Sequence, residues 1–237
     1  MRECVRARAR AIERFVLAAS DSPTLAGLER FARDQGVASI ERLPRGELDR
    51  LTQGAQHQGA VAILPALELS DWAEVIARPE LLAIALDQVQ DPQNFGAVIR
   101  SAVATAGAAV LWGEHSSAPL GTATFRASAG AIEHATLCRV PALKDALGAA
   151  RDAGARVIGL AASADRLLSE VDLTGPTVIV LGNEGSGLQP AVRRSCTELA
   201  AVVRPHILDS LNASVAAAIS LYEAGKQREL RGLRSKH

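Results

Sequence analysis

From residue 81 onward the chain alternates short apolar runs with longer segments of helical period. Leu81-Leu82-Ala83-Ile84-Ala85-Leu86 contains no polar residue, the pattern of a parallel strand covered on both faces. The same reading predicts strands at 81–86, 108–112, 135–139, 156–161, 177–181 and 200–203, and helices at 95–106, 121–131, 143–153, 188–195 and 212–230. Such alternation predicts an α/β domain with a mainly parallel sheet and helices on both faces.

Upstream the elements are shorter. Ala11 to Ala19 reads as one short element, Leu25 to Gln35 as an amphipathic helix ended by Gly36, and Val37 to Leu43 as a strand. Glu47 to Leu51 makes a helical turn, a polar patch runs from Thr52 to Gly59, and the strand-like Ala60 to Leu64 is closed by Pro65. The expected organisation is a small α/β unit over 1–65, a linker with a lead-in helix over 66–80, and the main domain over 81–237.

Three polar islands interrupt the apolar elements of the main domain. The first is Asp91-Pro92-Gln93-Asn94-Phe95-Gly96, with Pro92 and Asn94 expected as turn and helix N-cap residues. The helix that follows is apolar or small on nearly every side and is expected to be buried, yet it carries Arg100, the only charge between Asp91 and Glu114. A buried guanidinium needs a carboxylate partner, Asp87 or Asp91, or a ligand.

The second island, Gly182-Asn183-Glu184-Gly185-Ser186-Gly187, follows the apolar run Thr177 to Leu181. Three glycines at the carboxyl end of a strand let the backbone approach a ligand closely. The spacing is neither GxGxxG nor a Walker A loop. Glu184, the only charge between Asp172 and Arg193, is either a solvated turn residue or part of a site. The third island, Ser210-Leu211-Asn212-Ala213-Ser214, opens a helix without charge through Leu221, and Ser210 or Asn212 either caps that helix or joins the site.

A chain of 237 residues can bury a sizeable core, and 48% hydrophobic with 3% aromatic residues fits a helix-rich α/β protein. The 26 basic and 26 acidic side chains cancel, so no global field points to nucleic acid. Basic residues do gather at both ends (Arg2, Arg6, Arg8, Arg10 and Arg14; Lys226, Arg228, Arg231, Arg234 and Lys236), either to touch phosphates or as solvated helix faces. Cys4, Cys138 and Cys196 form no CxxC arrangement, which suggests a reducing compartment and argues against a zinc site. With no long apolar span and no signal-peptide core, the expectation is a soluble cytoplasmic protein without metal or membrane anchor.

In order and spacing, the three islands resemble the motifs of the SpoU/TrmH family of RNA ribose 2'-O-methyltransferases, in the SPOUT class. Asn94-x-Gly96-x-x-x-Arg100 matches the first motif, Leu181-Gly182-x-Glu184-x-x-Gly187 the second, and Ser210-Leu211-Asn212-x-Ser214 the third. Ser128-Ala129-Gly130-Ala131 matches a small-residue stretch between them. The part before residue 66 is similar to the small substrate domain of the 23S rRNA guanosine 2'-O-methyltransferases, with His57-Gln58-Gly59 at the boundary. An opening strand and helix usual before Ala11 are missing, so either the start is placed downstream of the real one or this RNA-binding domain is trimmed.

The resemblance implies a C-terminal trefoil knot, a homodimer, and S-adenosylmethionine held largely by backbone groups, at Gly182, Val202 and Leu211. The implied reaction methylates a ribose 2'-hydroxyl of RNA, in 23S rRNA at guanosine. The implied catalytic residues are Arg100, Asn94, Glu184, Ser210 and Asn212. A guanidinium keeps its proton near neutral pH, so Arg100 is read as a cation that stabilises the alkoxide or clamps a phosphate. Asn94 orients the ribose or Arg100, Glu184 pairs with Arg100 or a substrate amide, and Ser210 and Asn212 position the nucleotide. The chain departs from the family at Val202-Val203-Arg204-Pro205-His206, where Ile-Pro-Met and a nearby Gly are usual. Three alternatives stay open: a tRNA 2'-O-methyltransferase, a non-catalytic RNA-binding paralogue, and a dinucleotide oxidoreductase. The last predicts a GxGxxG that Asp87 to Gly96 does not supply.

Overall fold

The computed structural model describes residues 1–115, 117–118, 120–204 and 211–234, without the side chains of 233 and 234. It divides into two compact units, Met1–Leu67 and Glu68–His237. The first unit runs α1 (Arg2–Arg8), β1 (Arg14–Ala18), α2 (Pro23–Asp34), β2 (Ile40–Leu43), α3 (Arg45–Leu51) and β3 (Ala60–Ile63). Its sheet has the order β2-β1-β3, with β2 parallel and β3 antiparallel to the central strand. Phe15, Val16 and Leu17 of this central strand are all buried, in one core cluster with Leu25, Leu28 and Ala32, which recur at helical spacing along α2. The strand expected from Val37 begins only at Ile40. Gly36 and Val37 still donate to the Arg33 and Ala32 carbonyls, so the helix end takes their N–H groups before β1 can.

The second unit runs α4 (Trp72–Ile76), β4 (Leu82–Leu86), α5 (Pro92–Thr105), β5 (Ala109–Gly113), α6 (Thr122–Ala127), β6 (Leu137–Val140), α7 (Leu143–Asp152), β7 (Arg156–Leu160), β8 (Thr177–Leu181), α8 (Pro190–Ser195), β9 (Glu198–Ala200) and α9 (Ala213–Arg234). Every pairing in its sheet, ordered β6-β5-β4-β8-β7-β9, is parallel. Alternation along the strands splits the core into two layers. Ala83, Ala85, Leu111, Val178 and Val180 point toward Trp72, Val75, Leu147 and Val192 of α4, α7 and α8. Trp112, from the other set, meets Phe95 of α5 edge to face at 5.3 Å. Trp72 buries its ring and still satisfies its N–H on the Ala146 carbonyl at 2.9 Å.

Two expected elements are shorter than the pattern suggests. The helix expected over 121–131 stops at Ala127, because Ala129 (φ 51) and Gly130 (φ 90) are left-handed, and a 3-10 turn at Ala131–His134 follows. The strand expected over 200–203 pairs at Glu198–Ala200, and Ala201 makes only an isolated bridge to Leu167. Gly96 fixes the fit of α5 on α6. A Cβ there would sit 2.5 Å from Ala127 Cβ and 2.6 Å from the Thr124 carbonyl oxygen.

Winding reverses between β4 and β8: β5 and β6 lie to one side of β4, and β7 and β9 to the other side of β8. In open parallel sheets such a reversal leaves a crevice at the carboxyl ends, where the connections part in opposite directions. All three polar islands follow from strands or open helices at that end.

Candidate active site at the carboxyl ends of the central strands

After β4 the chain stays beside β8, with Asp87 N–H donating to the Leu181 carbonyl at 2.8 Å. The Asp87 side chain is 2% exposed and accepts from Gln189 N–H at 2.7 Å. Burial pushes its pKa above the ordinary aspartate value, and the Gln189 N–H partly offsets this. The cap of α5 is Asp91 rather than Asn94: Asp91 Oδ1 accepts from Gln93 N–H at 3.0 Å, and Pro92 occupies the first turn. Asn94 thus lies inside the first turn, with its amide available to the crevice.

The second island folds back on itself. Asn183 and Gly187 exchange backbone hydrogen bonds at 2.9 and 3.1 Å, and a Cβ on Gly182 would stand 2.4 Å from the Gly187 carbonyl carbon. Only glycine fits there. Asn183 locks the turn, accepting from Gly185 N–H and donating to the Gln88 carbonyl. This lock escaped the sequence reading, although Asn followed by Gly two positions on is an Asx-turn signal.

The three islands converge at Glu184. Its Oε1 accepts from Asn94 Nδ2 at 2.8 Å, Asn212 Nδ2 at 2.7 Å and Ala213 N–H at 3.1 Å. Asn212 Nδ2 also donates to Asn94 Oδ1 at 3.0 Å. Asn212 joins this cluster and also caps α9, its Oδ1 accepting from Ser214 N–H at 3.0 Å and Ser214 Oγ at 2.6 Å. These residues are 28 to 118 positions apart in sequence.

Arg100 departs from its expectation. It is exposed, with neither Asp87, Asp91 nor Glu184 bonded to it among the described residues. The buried face of α5 is Phe95, Gly96, Val98, Ile99 and Ala102, whereas Arg100 and Ala104 are exposed and Ala97 and Ser101 half-buried. Small residues made the helix look apolar on all sides without being covered. Ser210, like Pro205 and His206, lies outside the described residues.

A cavity of about 740 Å³ opens between the loops after β7, β8 and β9. Gly182, Val202 and Leu211 line it together with Glu184, and so do Ser163, Arg193 and Arg204. Ser163 and Arg193 were not anticipated, whereas Arg204 stood in the segment where the chain departs from the family; the carboxyl end of the strand expected at 156–161 was the available signal for Ser163. Arg204 donates to the Ala164 and Asp165 carbonyls and so ties the β9 loop to the β7 loop. Burial pushes the Cys138 and Cys196 thiols up to about 11, leaving no thiolate nucleophile there near neutral pH. Among the described residues no group of three or more His, Cys, Asp or Glu could hold a metal, and no helix is long and apolar enough to cross a membrane.

A parallel sheet with this crevice and this cluster defines a class, and the SpoU rRNA Methylase family model matches residues 81–222. The chain belongs to that family of methyltransferases. It is 37% identical to an uncharacterised tRNA/rRNA methyltransferase of Mycolicibacterium smegmatis, over 95% of this chain and 74% of that protein. Among solved structures it is similar to the SpoU methyltransferase AviRb from Streptomyces viridochromogenes in complex with AdoMet, at 25% identity and a TM-score of 0.76, over 95% of this chain and 89% of that one. A TrmH/SpoU tRNA modifying enzyme of A. aeolicus matches with 28% identity and a TM-score of 0.58, over 69% of this chain and 84% of its own.

Proposed function

We propose that this protein methylates a ribose 2'-hydroxyl of ribosomal RNA, in 23S rRNA at guanosine, with S-adenosylmethionine as donor. The observation that carries the reading is the meeting of Asn94, Glu184 and Asn212 in one hydrogen-bonded cluster on the rim of the cavity. The cavity suits the cofactor in size and lining. Its volume of about 740 Å³ lies in the usual range for small-molecule sites, and Leu160, Leu181, Val202 and Leu211 offer apolar walls. Gly182 lines the cavity without a side chain of its own, and Arg193 and Arg204 suit a carboxylate. The cofactor supplies a methyl group activated on a sulfonium.

The chain's own residues do the rest. The apolar walls limit water around the nucleophilic oxygen. Asn94 and Asn212 hold Glu184 and present amides to the nucleotide, while Arg100 supplies a fixed cation for the phosphate or the developing alkoxide. Ser210 is assigned to the same nucleotide contact by its motif. Ribosomal rather than transfer RNA is favoured by the small unit. An rRNA methyltransferase from Sinorhizobium meliloti aligns over 94% of this chain, whereas the A. aeolicus tRNA enzyme reaches 69%. The small unit is accordingly assigned to RNA capture, a trefoil knot to the C-terminal part of the main domain, and the working form to a cytoplasmic homodimer.

The test begins with calorimetric titration of S-adenosylmethionine, expected to show one site per chain. Tritium transfer to total RNA from a strain lacking the gene follows, with 2'-O-methyl mapping to find the nucleotide. Binding without transfer to any RNA would move the assignment to a non-catalytic paralogue, and transfer to tRNA alone would correct the substrate.

A further inference from the structure

We infer that Glu184 is the group that removes the proton from the ribose hydroxyl, an assignment that rests on the methyl-transfer reading above. Glu184 is the only side chain among the described residues lining the cavity that can accept a proton near neutral pH. The other ionisable groups there are Arg193 and Arg204, and a guanidinium has no proton-acceptor capacity. Arg100 is disqualified for the same reason, since a guanidinium keeps its proton near neutral pH.

The cluster prepares Glu184 for the role. All three N–H donors converge on Oε1, and among the described residues none is bonded to Oε2. One oxygen anchors the carboxylate to α5 and α9 while the other is left as an acceptor on an exposed residue. A carboxylate is an acceptor only, so the three donors match its ionised form and fix its plane. In the transfer step the O–H bond of the ribose breaks and its proton passes to Oε2. The oxygen pair left behind forms the bond to the methyl carbon, and the sulfur keeps the pair of the bond that breaks. Glu184 then returns its proton to water. A weak base suffices, because it need only take a proton that becomes acidic as the new bond forms.

Glu184→Gln discriminates between base and anchor. The amide oxygen can still accept from Asn94, Asn212 and Ala213, while its NH2 replaces the free oxygen and cannot take a proton. The expected loss in single-turnover rate is roughly 10²–10⁴-fold, with cofactor affinity by calorimetry within about twofold of wild type. Among the described residues the ionisable groups on the surrounding elements are Asp87 after β4, Asp91 capping α5 and Arg100 on it, Asp165 and Arg166 after β7, Arg193 and Arg194 on α8 and Arg204 after β9; α9 contributes none before Tyr222. Wild-type rate should therefore rise along one carboxylate limb and be flat above neutral pH. A rate that keeps climbing through alkaline pH would assign the proton to hydroxide and overturn the proposal, as would a Glu184→Gln enzyme of normal rate.

A readout without turnover completes the test. Carboxyl-carbon NMR of the cofactor-free protein, with the Gln variant identifying the signal, should show Glu184 ionised at pH 8. A protonated Glu184 there would also overturn the assignment. A wild-type protein that moves no methyl to RNA would instead remove the functional reading beneath it, so the two failures are distinguishable.

Discussion

Asp87 shows how one residue can join the two halves of the sheet at a cost in stability. Its carboxylate is 2% exposed, and the bond from Gln189 ties the β4 exit to the loop before α8. Burial raises its pKa in the folded state. The folded chain then holds more protons than the unfolded chain between the two pKa values, so the contribution favours folding at acid pH and is lost as pH rises through the folded value. Asp87→Asn keeps an acceptor for Gln189 and has no charge to desolvate. Thermal denaturation should find it more stable than wild type at pH 8, with the advantage shrinking as the solution is acidified. A variant that loses ground at pH 8 instead would mean that the ionised carboxylate is held by more than Gln189. At this scale the sequence was informative about which residues matter and poor about whom they touch. Arg100 and Glu184 stood out as lone charges, but their pairing with each other was one expectation the fold did not meet. Glu184 takes amides from 90 positions upstream and 28 downstream, a separation no local pattern encodes.

Among elements, α9 is the one whose role its apolar pattern described least. Its first turns serve the cluster, while farther along it closes the opposite end of the sheet. Arg228 donates to the carbonyls of Glu80, Leu81, Leu173 and Gly175 at 2.6 to 3.0 Å, and Gln227 both accepts from Leu173 N–H and donates to the Val171 carbonyl. The terminal basic residues were read as phosphate contacts or solvated faces, and Arg228 is neither. Burial lowers its pKa, yet four carbonyl oxygens keep the cation in place. Arg228→Met preserves much of the stem packing and removes the donors. The expected cost is about 2 kcal/mol, or about 4–8 °C in thermal midpoint for a chain of this size. An unchanged midpoint would show that water replaces the guanidinium without penalty. The strands β4 to β8 and helix α7 were legible because their apolar runs match their burial. The early end of α6 was not, since left-handed Ala129 has no signature of its own.

At the scale of the whole molecule, one exposed face asks for a partner. Val215, Ile219 and Tyr222 of α9 are 46%, 38% and 63% exposed, and their spacing of four and three residues puts them on one stripe. α9 packs on α5, whose own uncovered residues, Ala97, Arg100, Ser101 and Ala104, again share one helical face. Small residues on one helix and larger apolar ones on its neighbour suit close approach of a second copy, and each such side chain buried contributes about 1.5–3 kcal/mol. This is where the proposed homodimer should form, and it would remove Arg100 from open solvent. Ile219→Glu tests it, because a carboxylate in a two-fold contact would face its own copy or be buried unpaired. Wild type should sediment as a dimer and the variant as a folded monomer of unchanged circular dichroism. If Arg100 acts only once a second chain encloses it, the monomer should also lose methyl transfer while still binding the cofactor in calorimetry. A variant that stays dimeric would place the interface elsewhere, and a monomer of full activity would show that Arg100 needs no second chain.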